Sequence, residues 1–301
     1  MLAKSDISAF VSETVSNFLI NGVDFLYILS EFSRFVTFSL RQDRNQSLTR
    51  AMVIISIDVD VGTPELGRLN KGYNDLNVHK QRTEYEVGMV DRLALPIFLD
   101  LFDKLGVPAT FALRGQIVEI EDSGIEPLLQ TSVNHDIGAH GYYHRKFKYL
   151  THRDAENMLQ LTSDGLARFG IVPRSFVFPA NSVNHLDLLE KFGYQCYRGL
   201  NGLTKDSMAL KKTGNLVNVC PSFYLQQNTS PVILAKILDL AISRKLPFHI
   251  WFHLWNMGQK KPEIEMNIRR VLLPFLVYAK RRQQKGHLTF ETMLSAARTV
   301  V

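Results

Sequence analysis

"AMVIISIDVDVGT", residues 51–63, is the stretch on which the reading of the fold turns. Its first nine residues are almost continuously apolar and rich in β-branched side chains. A half-exposed strand alternates polar and apolar positions, whereas a strand covered on both faces does not, so the run predicts a buried parallel strand. Asp58 and Asp60 stand one residue apart at its end. Strand residues i and i+2 point to the same face, and if the strand persists to Asp60 both carboxylates emerge together where strand meets loop. Four arrangements use such a pair: a metal site with an adjacent base, a phosphatase nucleophile with its acid, a nucleotide-sugar clamp, or a solvated turn.

Outward from this strand the pattern repeats. Helices are expected over 92–106, ended by Gly106, and over 151–170, 184–193 and 231–245, where apolar residues keep a helical period. Short apolar runs at 107–115, 135–140, 175–179, 194–199 and 248–254 read as strands between and after them. Strand and helix in alternation give an α/β architecture on a parallel sheet, open or closed into a barrel. Functional groups in such folds gather at the C-terminal ends of strands, where Asp58, Asp60, His140 and His253 all fall. His253 is expected to arrive from the opposite side of that rim.

The chain has 301 residues, 46% of them hydrophobic and 21% charged, a globular composition that indicates neither disorder nor a membrane bundle. The formal charge of +6 is concentrated in "AKRRQQK" (279–285), in Lys211–Lys212 and Lys260–Lys261, and in Arg269–Arg270. Such runs read first as solvated helix faces and second as attraction to anionic headgroups or acidic glycans, and no nucleic-acid motif accompanies them. Cys196 and Cys220 lack metal-ligand spacing and are too few for a disulfide framework, so a reducing compartment is expected. Residues 1–50 form a separate unit of amphipathic helix and linker before a domain of residues 51–301. The early apolar stretch carries Asp24, Glu31 and Arg34 and has no uncharged run of about 18–20 residues, the length that spans a bilayer. No secretory signal pattern is present either. The expectation is a cytoplasmic protein, with the N-terminal helices packed on the domain or on a second subunit, or lying against the inner face of the membrane.

"GAHGYYHRK" (138–146) places His140 and His144 four apart. On a helical turn both imidazoles face one ion, and with a carboxylate from another strand end they make a two-histidine, one-carboxylate site that leaves positions open for water and substrate. At this point the chain resembles the polysaccharide deacetylases, the carbohydrate esterases that share the NodB homology domain. The resemblance is carried by several blocks in order: "SIDVDVG" for the acidic motif, then "LDLFDKLGVPATFALRG". "HDIGAHGYYH" matches H-E-I-G-x-H-(S/T)-x-x-H. There follow "YLTHRDAENMLQLTSDGLARFGIVPRSFVFP" in the place of the third motif, "LDLLEKFGYQCYRG", and a late strand ending "WFHL".

The resemblance implies a distorted (β/α) barrel and hydrolysis, dependent on one divalent metal, of an acyl amide on an amino sugar. Zn2+ is the first choice of metal, with Co2+, Mn2+ or Ni2+ as alternatives. It assigns Asp58 as general base, Asp60, His140 and His144 as metal ligands, and His253 as the acid that protonates the leaving amine. The residue between the two acids is a feature of subgroups acting on lipid-linked sugars, so a lipid-linked glycan joins polysaccharide as an expected substrate. Trp255 and Asn256 suit stacking on, and hydrogen bonding to, a sugar. One departure stands out. The arginine of the family's third motif, which pairs with the catalytic aspartate, is replaced by Val177, and its tyrosine by Ala180. The backbone N–H of Ala180 retains the capacity to donate to an oxyanion, but the arginine must come from elsewhere, and Arg114, Arg174 and Arg198 are the candidates.

Other readings compete. D-x-D after a strand also opens haloacid-dehalogenase-type phosphatases and occurs in Mn2+-dependent glycosyltransferases, yet the later acidic pair of the first and the nucleotide-binding half of the second are not recognisable, and both leave the histidines idle. An amide or imide hydrolase on the same barrel, or a non-catalytic glycan-binding barrel, stays open. The remaining histidines, His79, His135, His152, His185, His249 and His287, read as structural or exposed.

Overall fold

The computed structural model describes residues 48–59, 92–116, 125–199 and 209–300. The expected N-terminal helices and Asp60 lie outside these. In chain order the elements are β1 (Ala51–Val59), α1 (Arg92–Leu105), β2 (Thr110–Leu113), the single turn α2 (Glu126–Leu129), β3 (Asp136–Ala139) and α3 (His152–Ala167). There follow β4 (Ser175–Val177), α4 (Leu186–Lys191), β5 (Cys196–Arg198), β6 (Leu210–Thr213), β7 (Leu216–Val219) and β8 (Phe223–Tyr224). The chain closes with α5 (Pro231–Arg244), β9 (Pro247–His253), α6 (Lys261–Asn267), α7 (Leu273–Gln284), β10 (Leu288–Glu291) and α8 (Met293–Ala297), a π-helical turn joining α6 to α7.

The strands form one mixed sheet in the order β6-β7-β5-β4-β3-β2-β1-β9-β8, curved into a half-barrel with helices on its outside. β1 is its centre. One edge pairs with β9 over Met52–Asp58, and the other pairs first with β10 (Ala51–Ile54) and then with β2 (Ser56–Val59), all in parallel. Every residue of β1 is buried, as the unbroken apolar run requires. Among the described strands only the β6–β7 pair is antiparallel.

Alternation along the strands sorts two environments. Val53, Ile55, Ile57 and Val59 face the helices and join the main core with Phe98, Phe102, Phe111, Phe248 and Phe252. Met52 and Ile54 face the barrel interior, where they pack with Ala112, Val177, Cys196, Val217, Val219 and the plug of α8, which supplies Met293, Ala296 and Ala297. Along this inner face β1 reads Met52, Ile54, Ser56, Asp58: apolar where α8 closes the barrel, polar toward the strand ends. A ring of buried polar groups also anchors the plug. Asp136 accepts from Thr110 Oγ1 (3.0 Å) and Ser175 Oγ (2.6 Å), while the Met293 N–H at the start of α8 donates to Thr110 Oγ1 (2.8 Å). Burial pushes the Asp136 carboxyl upward against these two hydrogen bonds.

Helix ends follow local chemistry. α1 stops at Gly106, whose φ of +58° favours glycine. α3 is capped by the Thr151 hydroxyl, which accepts from Asp154 N–H. The basic run at the end of α7 sits where the helix dipole favours cations, and Arg282 pairs with Asp239 at 2.7 Å. Cys196 and Cys220 are buried, and neither is joined in a disulfide among the described residues. Among the described residues no helix is long and apolar enough to cross a membrane.

Candidate active site

Three strand ends converge on Asp58, near the end of β1. β9 is its direct neighbour, with Asp58 and His253 register partners, so the expectation that His253 reaches the site from the opposite side of the rim is corrected: parallel pairing brings it in from next door. His253 Nε2 lies 3.8 Å from Asp58 Oδ2, and His140 Nε2, at the end of β3, lies 3.9 Å from the same oxygen. The third partner is Arg198 at the end of β5, whose Nη2 donates to Oδ2 at 2.5 Å. Asp58 and Arg198 are 3% and 1% exposed, so this is a buried ion pair. Burial pushes the Asp58 carboxyl up, but the Arg198 charge, with His140, His253 and the Arg198 hydrogen bond, outweighs it and holds the group below the usual carboxylate range.

Arg198 answers the question left by the third motif. Val177 does occupy β4 beside it, paired in register with Arg198, and the charge has moved one strand along the sheet. The guanidinium lies over the Trp251 ring, 4.5 Å from its centroid. Arg174 points away, donating to Gly193 O. Arg114 is buried and donates to Gln116 Oε1 at 2.7 Å and to Tyr142 O at 3.3 Å.

The two histidines do not share a helical turn. His140 ends a strand, Gly141 follows with φ +70°, and His144 itself sits in the left-handed region at φ +47°, so a tight loop, and not i,i+4 helical spacing, sets their rings 5.0 Å apart. A non-glycine residue in that region costs on the order of 1–3 kcal/mol, and such outliers cluster where function requires them. His140 Nδ1 lies 2.8 Å from Val177 O. A carbonyl only accepts, so in the neutral ring Nδ1 carries the proton and Nε2 presents its lone pair toward Asp58, the orientation that a carbonyl partner imposes on metal-binding imidazoles.

His253 is oriented by a corresponding device. Its backbone N–H donates to Asn256 Oδ1 at 2.7 Å, which identifies that atom as the amide oxygen, and Nδ1 therefore donates to it at 3.1 Å. The other end of the amide donates to Tyr224 OH at 2.8 Å. The amide oxygen of Asn256, a residue expected as a sugar contact, is thus engaged by His253, and one of its amide N–H groups by Tyr224. Trp255 stacks on the His253 ring, centroids 4.4 Å apart and planes 19° apart. Ala180 is exposed, with φ +50°. Its N–H has no intramolecular partner among the described residues.

His249, which reads from the sequence as structural or exposed, is structural. It is fully buried on the inner face of β9 and contacts Ser56, with Nε2 at 2.7 Å from Oγ, and Val219 O, with Nδ1 at 3.1 Å. Its position i−4 to His253 on one strand face was the available signal. Burial, then the Arg198 charge, push its imidazole down to about 3 from the ordinary 6.5. Between those two values the unfolded chain binds one more proton here than the folded one. Stability therefore falls as the solution is acidified below about pH 6.5, by roughly 1.4 kcal/mol per pH unit from this group. Urea denaturation at pH 7 and pH 5 should show a loss about 2 kcal/mol larger in the wild type than in His249→Gln. Equal losses would mean that His249 titrates normally.

A family model described as polysaccharide deacetylase matches residues 87–197. No curated protein sequence matches the chain. Among solved structures, a Mycobacterium smegmatis protein described as a polysaccharide deacetylase superposes with a TM-score of 0.58 at 16% identity, over 83% of this chain and 90% of that one. A Pseudomonas aeruginosa PAO1 protein of the same description gives 0.57 at 14% identity, over 83% and 90%. The PuuE allantoinase gives 0.60 at 14% identity, over 86% and 96%. At these identities the three share the fold with this chain.

Proposed function

We propose, from the polysaccharide deacetylase model that matches residues 87–197, that the chain belongs to that family and is a hydrolase. In this reading it removes an N-acetyl or N-formyl group from an amino sugar of a polysaccharide or a lipid-linked glycan. The observation that carries the reading is the convergence of Arg198, His253 and His140 on one oxygen of a buried Asp58, while its other oxygen, Oδ1, is buried and accepts no hydrogen bond among the described residues. A carboxylate held ionised with one oxygen unengaged is equipped to take a proton.

His140 and His144, with Asp60 as the third donor, are the set proposed for a divalent metal; among the described residues alone no three such side chains are placed to hold one. His140 turns Nε2 toward the site because Val177 O holds its Nδ1, and the His144 ring is 5.0 Å away. Asp60, which lies outside the described residues, is the proposed third ligand. When bound, such an ion polarises the amide carbonyl and acidifies water. The chain's own groups do the rest. Asp58 takes the proton of the attacking water, and Arg198 keeps it ionised until then. The Ala180 N–H donates to the oxygen on which charge develops. His253, its Nδ1 tied to Asn256, delivers a proton from Nε2 to the departing sugar amine. Trp255 offers an aromatic surface beside that amine.

The test is release of acetate or formate by metal-loaded protein from chitooligosaccharides and N-formylated amino sugars. It is paired with mass-spectrometric comparison of cell-surface glycans and lipid-linked precursors with and without the protein. A difference of one acetyl or formyl group is expected. Bound metal without turnover on any of these would instead support the glycan-binding barrel. His144→Ala should lose tight metal binding, read as metal-to-protein ratio after dialysis, and an equimolar ratio in that variant would remove His144 from the ligand set.

A further inference from the structure

Under the acid–base pair lies a second polar layer. Ser56 precedes Asp58 by two residues on the inner face of β1, and His249 precedes His253 by four on β9; neither is exposed to solvent. The donor directions among them are forced from one end. Val219 O only accepts, so His249 Nδ1 carries the proton of the neutral ring and Nε2 must accept. Ser56 therefore donates its hydroxyl proton to Nε2 at 2.7 Å, and its oxygen accepts from Arg198 Nη1, also at 2.7 Å.

An arginine facing a carboxylate ordinarily forms two parallel hydrogen bonds, one to each oxygen. Arg198 forms one. Its Nη1 donates to Ser56 while Nη2 donates to Asp58 Oδ2, and the guanidinium carbon lies over the Trp251 ring. The consequence falls on Asp58 Oδ1, which is left without a hydrogen bond among the described residues.

We propose that His249, acting through the Ser56 hydroxyl, is a positioning residue that holds Arg198 in a one-point contact with Asp58 and so keeps Asp58 Oδ1 open to receive a proton. The role of Oδ1 rests on the reading of Asp58 as general base. The geometry of Arg198 does not depend on it.

Crystal structures of metal-loaded wild type, Ser56→Ala and His249→Leu, with kinetics on a chitooligosaccharide, test the relay. With the hydroxyl gone, Arg198 should rotate so that both terminal nitrogens meet Asp58, and kcat should fall roughly tenfold or more with KM within about twofold. His249→Gln, whose amide oxygen can take the place of Nε2, should restore the one-point contact and most of kcat. His249→Leu serves if Ser56→Ala does not fold. A one-point Arg198 contact in Ser56→Ala or His249→Leu would overturn the proposal, as would an unchanged kcat in a variant whose arginine has rotated. If no protein turns over any substrate, the deacetylase reading fails, and the position of Arg198 still decides whether the relay exists.

Discussion

Replacing Asp58 by asparagine is expected to lower turnover by about 10²-fold or more, the usual loss on removing a general base, while bound metal stays at the wild-type ratio. The amide keeps the shape of the carboxylate but cannot take a proton. Metal is retained because the proposed ligands are Asp60, His140 and His144. The same change leaves the Arg198 guanidinium, 1% exposed, without its counter-charge, so the fold should weaken as well. Turnover must therefore be measured where denaturation curves show the variant fully folded. Near-wild-type turnover under those conditions would remove Asp58 from the proton-transfer role. Loss of metal together with activity would make it a ligand.

The second large effect is expected at Arg198. Arg198→Met preserves much of the side chain's apolar stem and its contact with Trp251, but it strands a carboxylate that is 3% exposed. Breaking a buried pair on one side typically costs about 3–5 kcal/mol, because the remaining charge has neither water nor partner. Burial then acts on Asp58 without the opposing Arg198 charge, which raises its affinity for a proton. A double variant, Asp58→Asn with Arg198→Met, removes both charges and should recover a substantial part of that loss in urea denaturation of metal-free protein. Additive destabilisation in the cycle would show that the two groups are not coupled. The pair should thus be costly to break and cheap to remove whole, which separates a site kept for chemistry from one kept for stability.

The fold was legible in most elements that are long or covered on both faces, although over the 12-residue α7 only a solvated helix face at 279–285 was expected. β1 is one case, since nine consecutive buried positions admit no polar side chain except where the barrel interior is polar. α1, α3 and α5 are others, with helical period and end signals intact. β6, β7, β8 and β10 were missed. They are two to four residues long, too short to show a period, and β6 carries Lys211 and Lys212 outward. Resemblance to a family also located Asp58, His140, His144 and His253 along the chain, but not the distances between them.

What the sequence by itself determined is which chemical groups stand at the C-terminal ends of which strands, because strand alternation assigns Ser56 and Asp58, or His249 and His253, to one face without reference to anything else. What only the tertiary structure decided is which of these groups meet. Asp58 and His253 are register partners because β9 pairs with β1, a contact across 195 residues of chain that no local pattern encodes. Arg198 rather than Arg114 or Arg174 holds Asp58 because the curvature of the sheet carries β5 across the barrel interior. The loop geometry at Gly141 and His144, not helical spacing, brings the two imidazoles together. Local sequence fixes direction and chemistry, whereas proximity between distant strands is set by the packing of the whole sheet.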